Sequence, residues 1–183
     1  MKSILSSVLF LVLTYDIISC NSQKPNNSNY HTTGHNDNVF IGQLQKKDYD
    51  DFTNIIASEL KVKIPINKSI LINFYNDKNH CMITGFSQKK FLEIIENCFQ
   101  ISDKMCKEHN AIYFSIYSKL NRRNYLFKKN DKYIQDSGFF EELIFNQKYN
   151  CGGFFLLKPN GSFMKYYGED YFSEVENFLI KKN

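Results

Sequence analysis

Apolar positions along the chain alternate between helical and extended spacing. Phe52, Ile55, Ile56 and Leu60 recur at i, i+3, i+4 and i+8, one face of a helix that Asp50 or Asp51 can cap and that ends before Pro65. Residues 69–75, SILINFY, are almost continuously apolar, the signature of a central strand covered on both faces. Phe91, Ile94, Ile95, Cys98 and Met105 then lie on one stripe of a helix over 87–108, and 111–117 reads as a second buried strand. A mixed segment follows, with a helix near 120–129, a short extended piece at 133–135 and a short helix at 139–145 that Asp136 or Ser137 can cap.

The last forty residues carry the clearest punctuation. A strand at 154–157 meets the turn Lys158-Pro159-Asn160-Gly161, in which proline presets φ and glycine permits the reversal. A returning strand at 162–167 stops at Gly168. Ser173-Glu174-Val175-Glu176 reads as a capping box for a helix that turns Val175, Phe178 and Leu179 inward. Two strands joined through a long helix are expected to be parallel, and a terminal hairpin is antiparallel. The predicted fold is therefore α/β, a mixed central sheet with a C-terminal β-hairpin and helices on both faces.

The N-terminus departs from this pattern. MKS supplies a positive charge, and ILSSVLFLVL is an apolar run of ten residues, too short for a membrane span of about twenty. Ile17-Ile18-Ser19-Cys20 resembles the lipobox of bacterial lipoproteins, with Ile17 where leucine is usual and Asp16 just ahead of it. That resemblance implies a lipoprotein signal peptide over 1–19 and lipidation of Cys20; an ordinary cleaved signal, with Cys20 incidental, is the alternative. Two or more acyl chains hold a protein stably on a membrane. Asn21 follows the cysteine rather than the Asp that favours inner-membrane retention, so the expected location is the bacterial cell envelope, on the outer membrane facing the periplasm. Residues 20–38 are polar, without apolar periodicity, and read as a flexible tether. His31 and His35 lie in it at i, i+4 spacing, but no helical pattern holds them as a metal pair.

Composition narrows the classes further. The chain has 183 residues, is 43% hydrophobic and contains 17 Phe and 12 Tyr, enough for one packed domain over 39–183. The net charge is +4, and lysine pairs such as Lys46-Lys47, Lys89-Lys90 and Lys128-Lys129 are scattered as on solvated faces. No basic stripe of a nucleic-acid binder is present. Export places the remaining cysteines, Cys81, Cys98, Cys106 and Cys151, where disulfides persist. Cys98 and Cys106 are eight residues apart on the predicted helix, a rise of about 12 Å, too far to bridge. Cys98 falls on the apolar stripe as a small core residue, while Cys106 is core or partly exposed.

The candidate chemistry lies in ILINFYNDKNHC, a buried strand running into a polar turn that ends in Cys81. His80 and Cys81 alone fall short of a metal site, and no cofactor is called for. The Thr-x-x-Cys arrangement of a peroxidatic thiol is absent, since Thr84 follows the cysteine. The tail CGGFFLLKPNGSFMKYYGEDYFSEVENFL, Cys151 to Leu179, resembles the C-terminal half of thioredoxin-like proteins of the bacterial envelope, and ILINFYNDKNHC resembles their strand and active-site loop. The resemblance covers most of 69–183. It departs from the family in two places. The first cysteine of the usual pair is missing, and the cis-proline position falls on Gly152.

The resemblance implies that Cys151, the residue before that position, faces Cys81. It further implies thiol–disulfide exchange with a protein thiol, Cys81 attacking and Cys151 resolving. A purely structural bridge, two unpaired thiols, or a binding or structural envelope lipoprotein on a degenerate thioredoxin-like fold are the alternatives.

Overall fold

The computed structural model describes residues 38–77, 81–146, 151–168 and 172–181. Six strands form one sheet: β1 (Val39–Gln43), β2 (Ser69–Tyr75), β3 (Ala111–Tyr117), β4 (Tyr133–Gln135), β5 (Gly152–Leu157) and β6 (Ser162–Tyr167). Their spatial order is β1-β6-β5-β2-β3-β4. β2, β3 and β4 run parallel, whereas β5 is antiparallel to β2, β6 to β5, and β1 to β6. The helices are α1 (Lys46–Leu60), α2 (Gln88–Glu108), the short α3 (Asn124–Phe127) and α4 (Phe172–Ile180). A 3₁₀ turn covers Met82–Gly85 and a π-helical turn covers Phe140–Ile144.

The period of two in β2 sorts the core into two layers. Ile70, Ile72 and Phe74 pack with Ile56 and Leu60 of α1 and with Phe140 and Ile144 of the π-helical turn. Leu71 points to the other face, against Met105 and Cys106 of α2 and Val175 of α4. Helices therefore cover both faces, and the architecture is the α/β arrangement that the sequence predicts, a mixed central sheet with a C-terminal β-hairpin. Asn73 interrupts the apolar run of β2. It is buried, and its Nδ2 donates to Ser102 Oγ of α2 at 2.8 Å.

Several boundaries differ from the sequence expectation. Asp50 and Asp51 lie inside α1, which begins at Lys46 after Gln45 without a side-chain cap. The additional turn brings Tyr49 onto the core beside Phe52, so packing outweighs the cap preference. α4 begins at Phe172, one residue ahead of Ser173, so Ser173 is not its N-cap. Cys98 is only half-buried rather than the core residue expected, whereas Cys106 is buried against Leu71 and Met105, the core alternative of the two expected for it. β5 begins two residues early, at Gly152, and β1 is an edge strand that the apolar pattern did not announce. Asp136 does cap the π-helical turn, its carboxylate accepting from the backbone N–H of Phe140 and Glu141.

Ile72 is fully buried at the centre of the larger cluster. Ile72→Ala is expected to lower the unfolding free energy by about 3 kcal/mol, from lost transfer energy plus an incompletely collapsed cavity. Urea denaturation of the oxidised protein checks this, and a loss below about 1 kcal/mol would contradict the assigned core.

Candidate functional site

The carboxyl ends of β2 and β3 carry an unusual concentration of polar side chains. Asn76 and Asp77 follow β2, and Ser118 and Asn121 follow β3; all four are buried. A buried polar group needs a partner, and this region supplies a connected set. Ser118 Oγ donates to Glu141 Oε2 at 2.5 Å, and Asn76 Nδ2 donates to Glu141 Oε1 at 3.3 Å. Asn121 Nδ2 donates to the Tyr75 carbonyl at 3.3 Å. The edge of the parallel strands is thus tied to the π-helical turn by a carboxylate.

Cys81 and Cys151 meet at this edge in a disulfide, with Cα atoms 5.4 Å apart across a separation of 70 residues. Three local features produce the juxtaposition. The antiparallel register pairs Tyr75 with Gly152, so Cys151 arrives level with the residue after β2. The Asn76 backbone N–H donates to the Cys151 carbonyl at 3.1 Å, and the Asn76 carbonyl lies 3.5 Å from Cys81 Sγ. Gly152 has φ of +154°, and a β-carbon there would lie 2.7 Å from the Phe74 carbonyl oxygen. Where the thioredoxin-like pattern places a cis-proline, this chain needs the one residue that lets two backbones approach so closely. Among the described residues no peptide bond is cis.

The loop carrying Cys81 is clamped from the far side by Arg123. Its Nη1 donates to Asp77 Oδ2 at 2.8 Å and to the Ile83 carbonyl at 3.0 Å. Its Nη2 donates to the carbonyls of Thr84 and Phe86, each at 2.9 Å. Thr84 Oγ1 donates to the other Asp77 oxygen at 2.8 Å. The guanidinium also lies 4.6 Å from the centre of the Phe91 ring, a cation–π contact with the start of α2. Side chains of Asp77 and Arg123 are only 1% and 14% exposed, so neither charge is met by bulk water. A planar guanidinium with five donors can satisfy a carboxylate and three carbonyls at once; an ammonium cannot reproduce that fork.

The two cysteines differ in access. Cys81 is 5% exposed, while Cys151 is only partly buried. The remaining thiols are remote in chemistry: burial, with the Asp103 charge adding to it, pushes the Cys106 thiol up to about 12. Apolar side chains stand out in solvent nearby, Met82 at 74% and Leu120 at 76% exposure, on the two segments that Arg123 joins.

The sequence singled out Cys81 and Cys151, and the fold joins them. It did not point to Asp77, Arg123, Asn76 or Glu141; the only signal was polar residues directly after two apolar strands. Cys20, His31, His35 and His80 lie outside the described residues. For metal, Glu108, His109 and Glu176 bring ligand atoms within 4.8 Å of one another, at the opposite end of β3 from the disulfide. Both glutamates are exposed and His109 already lies 3.7 Å from Glu176, an arrangement common on surfaces without an ion.

No family model matches the chain, and no curated protein matches it. Among solved structures it is similar to the thioredoxin domain of a thiol-disulfide oxidoreductase from Bacteroides vulgatus, at 12% identity and a TM-score of 0.39, covering 77% of this chain and 93% of that one. It is also similar to BsSco, a member of the Sco family of cytochrome c oxidase assembly proteins in which a disulfide switch was identified. That match has 11% identity and a TM-score of 0.33, covering 62% of this chain and 78% of that one. Likenesses this distant carry no functional weight, and the site is interpreted from its own geometry.

Arg123→Ala is expected to destabilise the protein by about 3–5 kcal/mol, because it leaves the Asp77 carboxylate buried without its partner. Asp77→Ala combined with Arg123→Ala should cost less than the sum of the single changes. Denaturation of the three variants decides it, and simple additivity would show that the pair does not act as a unit.

Proposed function

We propose that the chain performs thiol–disulfide exchange through Cys81 and Cys151, acting on protein thiols from a lipid anchor at Cys20 in the bacterial cell envelope. The observation that supports the exchange is the Cys81–Cys151 bond at the carboxyl edge of the central strands, with Cys151 only partly buried. Exchange proceeds by attack of a thiolate on one sulfur, through a mixed disulfide, and needs access to that sulfur. Exposed Met82 and Leu120 beside the site suit the apolar flank of a polypeptide substrate better than a small thiol.

A second reading draws on the burial of Cys81. A bond closing a loop this long contributes about 4 kcal/mol in the chain-entropy model, so it also staples the fold. On that reading the protein is a binding or structural envelope lipoprotein, and the disulfide has no turnover.

Enzyme assays separate the two. Oxidised wild-type protein in stoichiometric amount is expected to oxidise a dithiol peptide in a single turnover, and Cys81→Ser or Cys151→Ser should return the rate to the background without protein. Equal rates in parent and variants would leave only the structural reading.

The anchor is tested independently. Cys20→Ser is expected to shift the protein from the membrane pellet to the soluble fraction on cell fractionation. Unchanged partition would remove the lipid at Cys20 and the envelope attachment that depends on it.

A further inference from the structure

We infer that Cys151 is the sulfur that exchanges with substrate, and that Cys81 is the resolving thiol. This assignment rests on the exchange reading above and reverses the roles that the sequence resemblance implies.

Three observations on the chain carry it. The first is access: Cys81 is 5% exposed, whereas Cys151 is partly exposed. A thiolate attacking a disulfide needs access to the sulfur it strikes, and of the two residues Cys151 is the less buried. The second is the polar setting of Cys81. Its Sγ lies 3.5 Å from the Asn76 carbonyl, which can accept the S–H of the reduced thiol once the bond has opened.

The third is attachment. Cys81 opens the 3₁₀ turn Met82–Gly85, whose carbonyls Arg123 grips together with buried Asp77. The Cys151 carbonyl accepts from the Asn76 backbone N–H. A resolving thiol can be a weak nucleophile, because a Cα separation of 5.4 Å makes its attack intramolecular.

The step balances as follows. A substrate thiol gives its proton to solvent and its thiolate attacks Cys151 Sγ. The Cys81–Cys151 bond breaks, Cys81 leaves as a thiolate and takes up a proton beside the Asn76 carbonyl. The second thiolate of the substrate then attacks the substrate sulfur of the mixed disulfide and releases Cys151. The second substrate thiol gives its proton to solvent and Cys151 takes one up, so the substrate dithiol is oxidised to a disulfide by two electrons and the protein disulfide is reduced to two thiols. In the reverse direction the Cys151 thiolate attacks a substrate disulfide and releases one substrate thiolate, and Cys81 then gives up its proton and attacks Cys151 Sγ, re-forming the protein bond and releasing the second substrate thiolate; this is its resolving step.

The test begins with the full chain, reduced in its native state by a phosphine. Limiting N-ethylmaleimide is added near neutral pH, and the modified cysteines are located by peptide mass mapping. Buried Cys106 serves as the internal control for native structure, since it should stay unmodified. Cys151 is expected to react about tenfold faster than Cys81, or more. A second arm uses single-cysteine variants of the pair with a cysteine-bearing peptide disulfide. Cys81→Ser should accumulate a stable mixed disulfide on Cys151, and Cys151→Ser should not form one on Cys81. Equal modification, or Cys81 reacting first, overturns the assignment. A bond that the phosphine opens but a dithiol peptide never does overturns the exchange reading itself, whichever cysteine is modified first.

Discussion

The antiparallel pairing of β5 on β2 is the constraint from which the site follows. It places Gly152 opposite Tyr75 and delivers Cys151 beside Asn76, within reach of Cys81. Side chains on a strand alternate between faces, so a slip of one residue would carry the sulfur to the opposite face and invert both layers of the core. Ile70, Ile72 and Phe74 resist that slip on one face and Leu71, Phe154 and Leu156 on the other. Packing of the hydrophobic layers and positioning of the two sulfurs are thus one requirement, enforced by the same register.

What the register places, buried charge holds. Desolvating a carboxylate and a guanidinium costs several kcal/mol per ion, and an apolar pair of the same volume can be equally stable or more so. Asp77 and Arg123 are therefore better understood through position than through net stability. Arg123 reaches from the segment after β3 to three carbonyls of the turn that follows Cys81, and no apolar side chain can address carbonyls in that way. The pair fixes the loop of one cysteine, while glycine at 152 lets the strand of the other come close. The bond between them sits at the carboxyl end of β2.

The stapling and exchange roles draw on the same bond in different states. Closure of a long loop stabilises the oxidised fold by restricting the unfolded chain. Exchange depends on how easily one sulfur is reached and how well the reduced form is accommodated. Cys81 is the more buried of the two residues and Cys151 the less buried.

The sequence alone determined the central strands, because SILINFY and AIYFSIY are nearly continuous in apolar residues, the pattern of a strand covered on both faces. It also determined the β5–β6 turn, where proline and glycine limit the backbone locally, and the long helix, whose Ser87 cap the structure adds. Tertiary structure decided what depends on partners distant along the chain. β1 forms because β6, more than a hundred residues away, offers an edge. α1 starts early because Tyr49 finds the core. Cys106 rather than Cys98 is buried because of where α2 meets the sheet. Arg123 and Asp77, forty-six residues apart, carry no local signature that they meet. Local spacing encodes periodicity and turn chemistry, whereas the depth of a side chain and the identity of its electrostatic partner exist only once the layers have closed on each other.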